Sequence, residues 1–298
     1  QNKPVKHWVE GSQEVDGKVA LDNDVISAQV TSDLPNPSDL AHKLSNVQVI
    51  DDYSQFKDHV KTSSIRVLEN GTDVTSQYTI EDNAGTGIIT ATRKDPSTTP
   101  AGKVQMNVSF QINADTPSGT KLVNAGSGTL NNETVPTNNP IVNTYTPTTD
   151  KHWTEGSQVV DGKVYIDASE THTDVTMSLP DPATLAKKLT RVSVTDDYSK
   201  FAQYVDYESA QVLENGKDVT SEYTISVANG KVVATRKDAS TTPAGTVDLH
   251  VNFKIHSDVA SGTSLVNSGS GTINDETIAT PDRTVKTYKQ DTNKTWNV

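Results

Sequence analysis

Two stretches of strict alternation stand out along the chain. Val104, Met106, Val108, Phe110 and Ile112 are separated by Gln105, Asn107, Ser109 and Gln111, and Val247, Leu249, Val251, Phe253 and Ile255 repeat the pattern. A period of two sends successive side chains to opposite faces, so each stretch predicts a strand with one face in a core and the other in water. Asn70-Gly71 and Asn215-Gly216 lie between strand-like runs and predict hairpin turns, since both residue types tolerate positive φ. Asn36-Pro37 and Asp181-Pro182 precede Leu40-Ala41-His42-Lys43-Leu44 and Leu185-Ala186-Lys187-Lys188-Leu189. A capping residue followed by proline in the first turn predicts a short helix at both places.

These features come in pairs because the chain is a tandem repeat. Lys6-His7-Trp8 recurs as Lys151-His152-Trp153, Leu34-Pro35 as Leu179-Pro180, Asp51-Asp52-Tyr53 as Asp196-Asp197-Tyr198, and Leu68-Glu69-Asn70-Gly71 as Leu213-Glu214-Asn215-Gly216. After a short deletion near Asn229-Gly230, Arg93-Lys94-Asp95 matches Arg236-Lys237-Asp238, and Leu122-Val123-Asn124 matches Leu265-Val266-Asn267. The reading is all-β: two tandem immunoglobulin-like (variant) β-sandwiches with short helical crossovers, spanning 1–147 and 148–291, joined by a stiff linker at Thr146–Asp150. Lys294-Thr295-Trp296 is read as the opening of a truncated third repeat over 292–298. The chain starts and stops in mid-pattern, with no signal peptide, apolar span or sorting tail, which suggests a segment of a longer protein.

Composition narrows the class. At 298 residues, two domains of ordinary size are expected, each large enough to bury a core. There is no cysteine, so a disulfide framework is excluded, and any other covalent crosslink becomes worth seeking. A net charge of −12 without clustered Lys and Arg argues against nucleic-acid binding and chiefly provides solubility. No membrane association is expected, and the chain is read as a monomer.

Candidate chemistry emerges from the strand phase. Lys6 and Trp8 are two apart and share a face, and a Trp belongs in a core, so Lys6 points inward. Val47, Val49, Asp51 and Tyr53 share another face, making Asp51 the inward carboxylate and Asp52 the outward one; the same phase selects Asp196 over Asp197. Leu122, Asn124, Gly126 and Gly128 turn Asn124, and its counterpart Asn267, inward. Each repeat therefore buries a Lys, an Asp and an Asn. A buried ammonium must be paired, neutralised or consumed in a bond. Neutralised by burial, Lys6 becomes a nucleophile, while a protonated Asp51 can hydrogen-bond the Asn124 carboxamide oxygen and relay protons. Amine attack on the amide would expel ammonia and leave an isopeptide bond, with folding supplying proximity worth roughly 7–11 kcal/mol of the barrier. The reaction turns over once, so no enzyme is implied. The same residues also suit an ordinary buried ion pair with a hydrogen-bonded amide, and both readings stand at this point.

The start at Lys6, the segments Val49-Ile50-Asp51-Asp52-Tyr53 and Leu122-Val123-Asn124, and the repeat length resemble the C-terminal domains of streptococcal antigen I/II adhesins and related lactobacillal surface repeats. The resemblance implies Lys-Asn isopeptide bonds with an acidic helper: Lys6, Asp51 and Asn124, then Lys151, Asp196 and Asn267. It also implies an extracellular stalk piece on a Gram-positive cell wall. The closing hairpins at Asn131-Asn132-Glu133 and Asn274-Asp275-Glu276 look shorter than the family pattern, leaving Asn131 and Asn274 as fallback acceptors. Some members bind calcium; Asp52 and Asp197 could offer oxygen ligands, but no loop has calcium-motif spacing, and no cofactor is required. His7 and His152 point away from the lysines with no second histidine at metal spacing. Asn70, Asn107 and Asn132 head glycosylation sequons that arise readily by chance, and few aromatics are present to build a glycosidase platform. The rival function is that the repeats themselves bind a host glycoprotein or polysaccharide.

Overall fold

The computed structural model describes residues 3–298, so residues 1 and 2 of the first expected domain lie outside the described residues. The chain divides into two units, the first running to Thr146 and the second opening at Pro147. Each sheet draws its strands from a single repeat. The linker is shorter than expected, because the strand Thr149–Glu155 begins inside it.

In the first repeat, a six-stranded antiparallel sheet runs in the order Gln13–Glu14, Val5–Glu10, Val25–Leu34, Gly102–Ile112, Val60–Glu69, Thr72–Asp73. The alternating stretch is its centre: Val104, Met106, Val108, Phe110 and Ile112 are all fully buried. Facing it is a five-stranded sheet ordered Glu133–Pro136, Ala125–Leu130, Val47–Asp52, Ile88–Arg93, Tyr78–Asn83. A small third sheet pairs Ile141–Tyr145 with Lys121–Val123 and, in parallel, with Val19–Leu21. Between the layers Trp8, Phe56 and Phe110 meet edge-on or tilted, with centroids 5.4–6.0 Å apart, the arrangement aromatic quadrupoles favour.

The second repeat has the same plan with one difference. Its late strand, Ser264–Ile273, runs unbroken and fuses the two smaller sheets into one of seven strands. The first repeat breaks at Asn124. The cause is one residue: Asn267 pairs with Arg283, and the corresponding place in the first repeat is Pro140, which has no N–H for the ladder. Equivalence is fixed by the tryptophans, since Trp8 donates to the Pro140 carbonyl and Trp153 to that of Arg283.

The expected helices are absent. Asn36 does cap, accepting from the Ser38 N–H, but only a 3-10 turn at Pro37–Asp39 follows, and its counterpart is Pro182–Thr184. Leu40 and Leu44 have helical spacing, yet five residues are too few to repay helix nucleation, and Leu44 is buried from an irregular loop. Among the described residues no helix is long and apolar enough to cross a membrane.

Candidate functional site

In the first repeat the three inward residues meet. Lys6, Asp51 and Asn124 are each fully buried. Lys6 comes from the six-stranded sheet; Asp51 and Asn124 come from the opposite side of the sandwich. Lys6 Nζ lies 2.8 Å from Asp51 Oδ2, 2.6 Å from Asn124 Oδ1 and 2.5 Å from the Ala125 carbonyl. Asn124 Nδ2 lies 3.4 Å from the same Asp51 Oδ2. The acid thus faces the amide nitrogen and not, as expected, its oxygen. The reason is that the amide oxygen only accepts and the amide nitrogen only donates, so the oxygen turns to the Lys6 nitrogen and the nitrogen to Asp51.

Burial shifts both groups toward their neutral forms. Burial pushes Lys6 below its usual value, against the opposing pull of Asp51. Burial likewise pushes Asp51 up, against the charge and hydrogen bond of Lys6. A neutral amine and a neutral acid are the reactive forms. A single oxygen touching both nitrogens can take a proton from one and deliver it to the other.

The surroundings hold this set in place. Gly126 pairs with Asp51, and a Cβ there would meet the Ile50 carbonyl at 2.8 Å; Gly269 stands in the same relation to Thr195. Asn138 grips the Lys6 backbone from both sides, accepting from its N–H and donating to its carbonyl, each at 2.8 Å. Asp16 accepts from the Trp8 N–H and contacts His7, and Asp161 does the same for Trp153 and His152.

In the second repeat Lys151, Asp196 and Asn267 are equally buried. Lys151 Nζ lies 2.9 Å from Asp196 Oδ2, and Asn267 Nδ2 is 3.4 Å from that oxygen. Burial lowers Lys151, against the charge of Asp196.

The other candidates fall elsewhere. Asn131 and Asn274 sit at positive φ in turns, and their side chains bind loop backbone, Asn131 at Lys43 and Ser45, Asn274 at Lys188 and Thr190. Asp52 and Asp197 accept from the N–H groups of Ser54 and Ser199. Among the described residues no group of three or more His, Cys, Asp or Glu side chains is placed to hold a metal ion.

Two polar features went unread in the sequence. Glu69 and Arg93 form a bidentate buried pair at 2.8 and 3.0 Å that ties the two large sheets together, and Tyr78 donates to Glu69 at 2.7 Å. Burial alone would raise Glu69, but its bonds to Arg93 and Tyr78 hold it below the usual carboxylate range. Glu214, Arg236 and Tyr223 repeat the network. The signal was available: both charges recur in both repeats on inward-facing positions.

The second feature lies on the outer face of the six-stranded sheet. The first repeat has neutral Ser27, Gln29, Gln105, Asn107 and Ser109 there, whereas the second has His172, Asp174, Asp248, His250 and Asn252. His250 contacts Asp174 at 2.7 Å and stacks on His172 at 5.6 Å. Burial, then the charge of Asp174, pushes Asp248 up to about 8; its bond to Asp174 raises His250. Between an unfolded value of about 4 and that folded value, native Asp248 keeps a proton the unfolded chain has lost, so stability falls as pH rises. His250 acts in the same direction, its contribution being present below its unfolded value and lost through its folded one. Calorimetry should show the second repeat's melting temperature dropping from pH 5 to pH 8. Asp248→Gln with His250→Asn, the residues of the first repeat, should flatten that slope.

The two repeats are β-sandwich modules that each bury a lysine, an acid and an amide together. The family model described as the cell surface antigen I/II C2 terminal domain matches residues 3–145 and again 147–293. The chain belongs to that family, as two tandem copies. The family comprises structural domains of surface adhesins, which are typically non-enzymatic. The C-terminal domain of the Streptococcus agalactiae antigen I/II polypeptide BspA has the same fold, with a TM-score of 0.77 at 15% identity over 95% of this chain and 99% of that one. The C-terminal domain of the Streptococcus pyogenes antigen I/II-family protein AspA gives 0.76 at 16% identity, over 95% and 99%. No curated protein matches the chain.

Proposed function

We propose that each repeat closes its own isopeptide bond, Lys6 to Asn124 and Lys151 to Asn267, and that the repeats serve as a force-bearing stalk of an adhesin anchored to a Gram-positive cell wall. The observation that carries this reading is the contact of Lys6 Nζ with both Asn124 and Asp51 in a site closed to water. The amine nitrogen bonds to the Asn carboxamide carbon and the bond from that carbon to Nδ2 breaks. One amine proton passes through Asp51 Oδ2 to the departing nitrogen, which leaves as ammonia, and Asp51 is restored. The second repeat uses Asp196 in the same way.

The position of the bond suits load. It joins the first strand to a residue 118 positions later, across the sandwich, so tension on the ends reaches the covalent link before the core. For disulfide loops of this size the entropic model gives roughly 4–5 kcal/mol of stabilisation. Shared binding of one host glycan or glycoprotein through the outer sheet face is disfavoured, because the central residues of that face differ between the repeats, Ser27, Gln29 and Asn107 in one and His172, Asp174 and His250 in the other.

Single-molecule stretching tests the reading. The wild-type repeats should resist extension of the enclosed loops, while Lys6→Arg with Lys151→Arg, whose guanidinium stays protonated and cannot attack, should release about 400 Å per repeat for loops of this length. Wild-type chains that extend as fully as the variant would overturn the stalk mechanism.

A further inference from the structure

The two sites differ in what touches the acid. In the first repeat the neighbouring strand carries Ala28, paired with Trp8 and fully buried. The equivalent residue in the second repeat, paired with Trp153 and equally buried, is Thr173. Its hydroxyl donates to Asp196 Oδ2 at 2.6 Å. That oxygen is also the one facing Lys151 Nζ at 2.9 Å and Asn267 Nδ2 at 3.4 Å. Asp51 Oδ2 has two such neighbours; Asp196 Oδ2 has three.

A carboxylate oxygen offers about two lone-pair sites, so three donors compete for them. The consequence is visible in the rest of the site. Lys151 Nζ is paired with Asp196 much as Lys6 is with Asp51, but it has no carbonyl acceptor, and Asn267 Oδ1 has no donor. In the first repeat the amine donates to both the Asn124 oxygen and the Ala125 carbonyl. Thr173 therefore holds the proton-carrying oxygen while the amine and amide of the second repeat remain out of hydrogen-bond register.

The geometry points to Thr173 as a positioning residue that retards closure of the second bond, so that the two isopeptides form in order, Lys6–Asn124 first and Lys151–Asn267 later. This rests on the isopeptide reading above. The chemical step is unchanged: amine nitrogen to carboxamide carbon, ammonia out, one proton relayed by the acid. Before Asp196 Oδ2 can accept that proton, the Thr173 hydroxyl must turn away. Giving up one buried hydrogen bond slows the step roughly five- to tenfold. Thr173 makes no hydrogen bond to either reacting nitrogen, and its action is through Asp196 alone.

The test follows both bonds in the full chain. Cell-free synthesis is stopped with denaturant at intervals after the chain is complete, and peptide mapping scores each crosslink over time. In the wild type the Lys6–Asn124 peptide should accumulate roughly five- to tenfold faster. Thr173→Ala should bring the second bond to the rate of the first, and Thr173→Ser, which keeps the hydroxyl, should leave it slow. Ala28→Thr should slow the first bond, a check that does not depend on how well the second repeat tolerates substitution. The pH profile of the second bond's rate should move onto that of the first in Thr173→Ala, a change that packing alone would not produce. Equal wild-type rates, or an unchanged second rate in Thr173→Ala, would overturn this assignment while leaving the isopeptide reading intact. Absence of both crosslinks at all times would overturn the two together.

Discussion

Replacing Asp51 with Ala should leave Lys6 and Asn124 unlinked while Lys151 and Asn267 remain joined. Asp51 Oδ2 is the group in contact with both the amine and the amide nitrogen, and among the described residues no second carboxylate bonds to them: Asp52 points outward to the Ser54 N–H. Without the acid, the amine proton has no carrier and the leaving nitrogen has no donor. The second repeat has its own Asp196 and should be untouched. The effect on the first repeat is large, because the crosslink's roughly 4–5 kcal/mol is lost and a lysine is left buried without its partner. Tryptic mapping should find one crosslinked peptide gone and the other present, and limited proteolysis should cut the first repeat selectively. Survival of the Lys6–Asn124 crosslink would remove Asp51 from the mechanism.

Arg93→Met should destabilise the first repeat by about 3–5 kcal/mol, the usual cost of stranding one charge of a buried pair. Glu69 would remain enclosed with only Tyr78 for company. Replacing both charges, Glu69→Leu with Arg93→Met, should recover most of the loss, since buried pairs and well-packed apolar substitutes are often close in free energy. Hydrogen exchange along a denaturant series reads each repeat separately, with Glu214 and Arg236 as an internal control. A loss for the single variant no larger than about 1 kcal/mol, the ceiling for exposed pairs, would mean that the two sheets are not tied here.

Much of this was legible from local periodicity. The alternation through Val104–Ile112 gave the central strand, and the two-residue spacing of Lys6 and Trp8, with the phase of Val47, Val49 and Asp51, brought the right side chains inward. Asn124 was found because it shares a face with Leu122 and the glycines at 126 and 128, and the structure gives Gly126 a reason in its close backbone approach. What local pattern cannot carry is pairing across the sandwich. Glu69 and Arg93 recur in both repeats, yet nothing in the spacing says that they meet. The orientation of the Asn124 amide depends on Lys6, and the grip of Asn138 on Lys6 joins residues 132 apart. The expected helices failed for the opposite reason: a true local signal, the cap at Asn36, was extended past the single turn it supports. Thr173 was in plain view as a departure from Ala28, but its meaning requires knowing that it reaches Asp196.

The central claim is covalent, and the intact mass of the wild-type chain under denaturing conditions tests it most directly. Denaturant removes every ion pair and hydrogen bond described above but leaves an amide in place. Two closed bonds predict a mass below that of the sequence by two molecules of ammonia, and Lys6→Arg should restore one of them. A wild-type mass equal to the sequence mass would contradict the account, leaving two uncrosslinked sandwiches that each bury an ordinary ion pair.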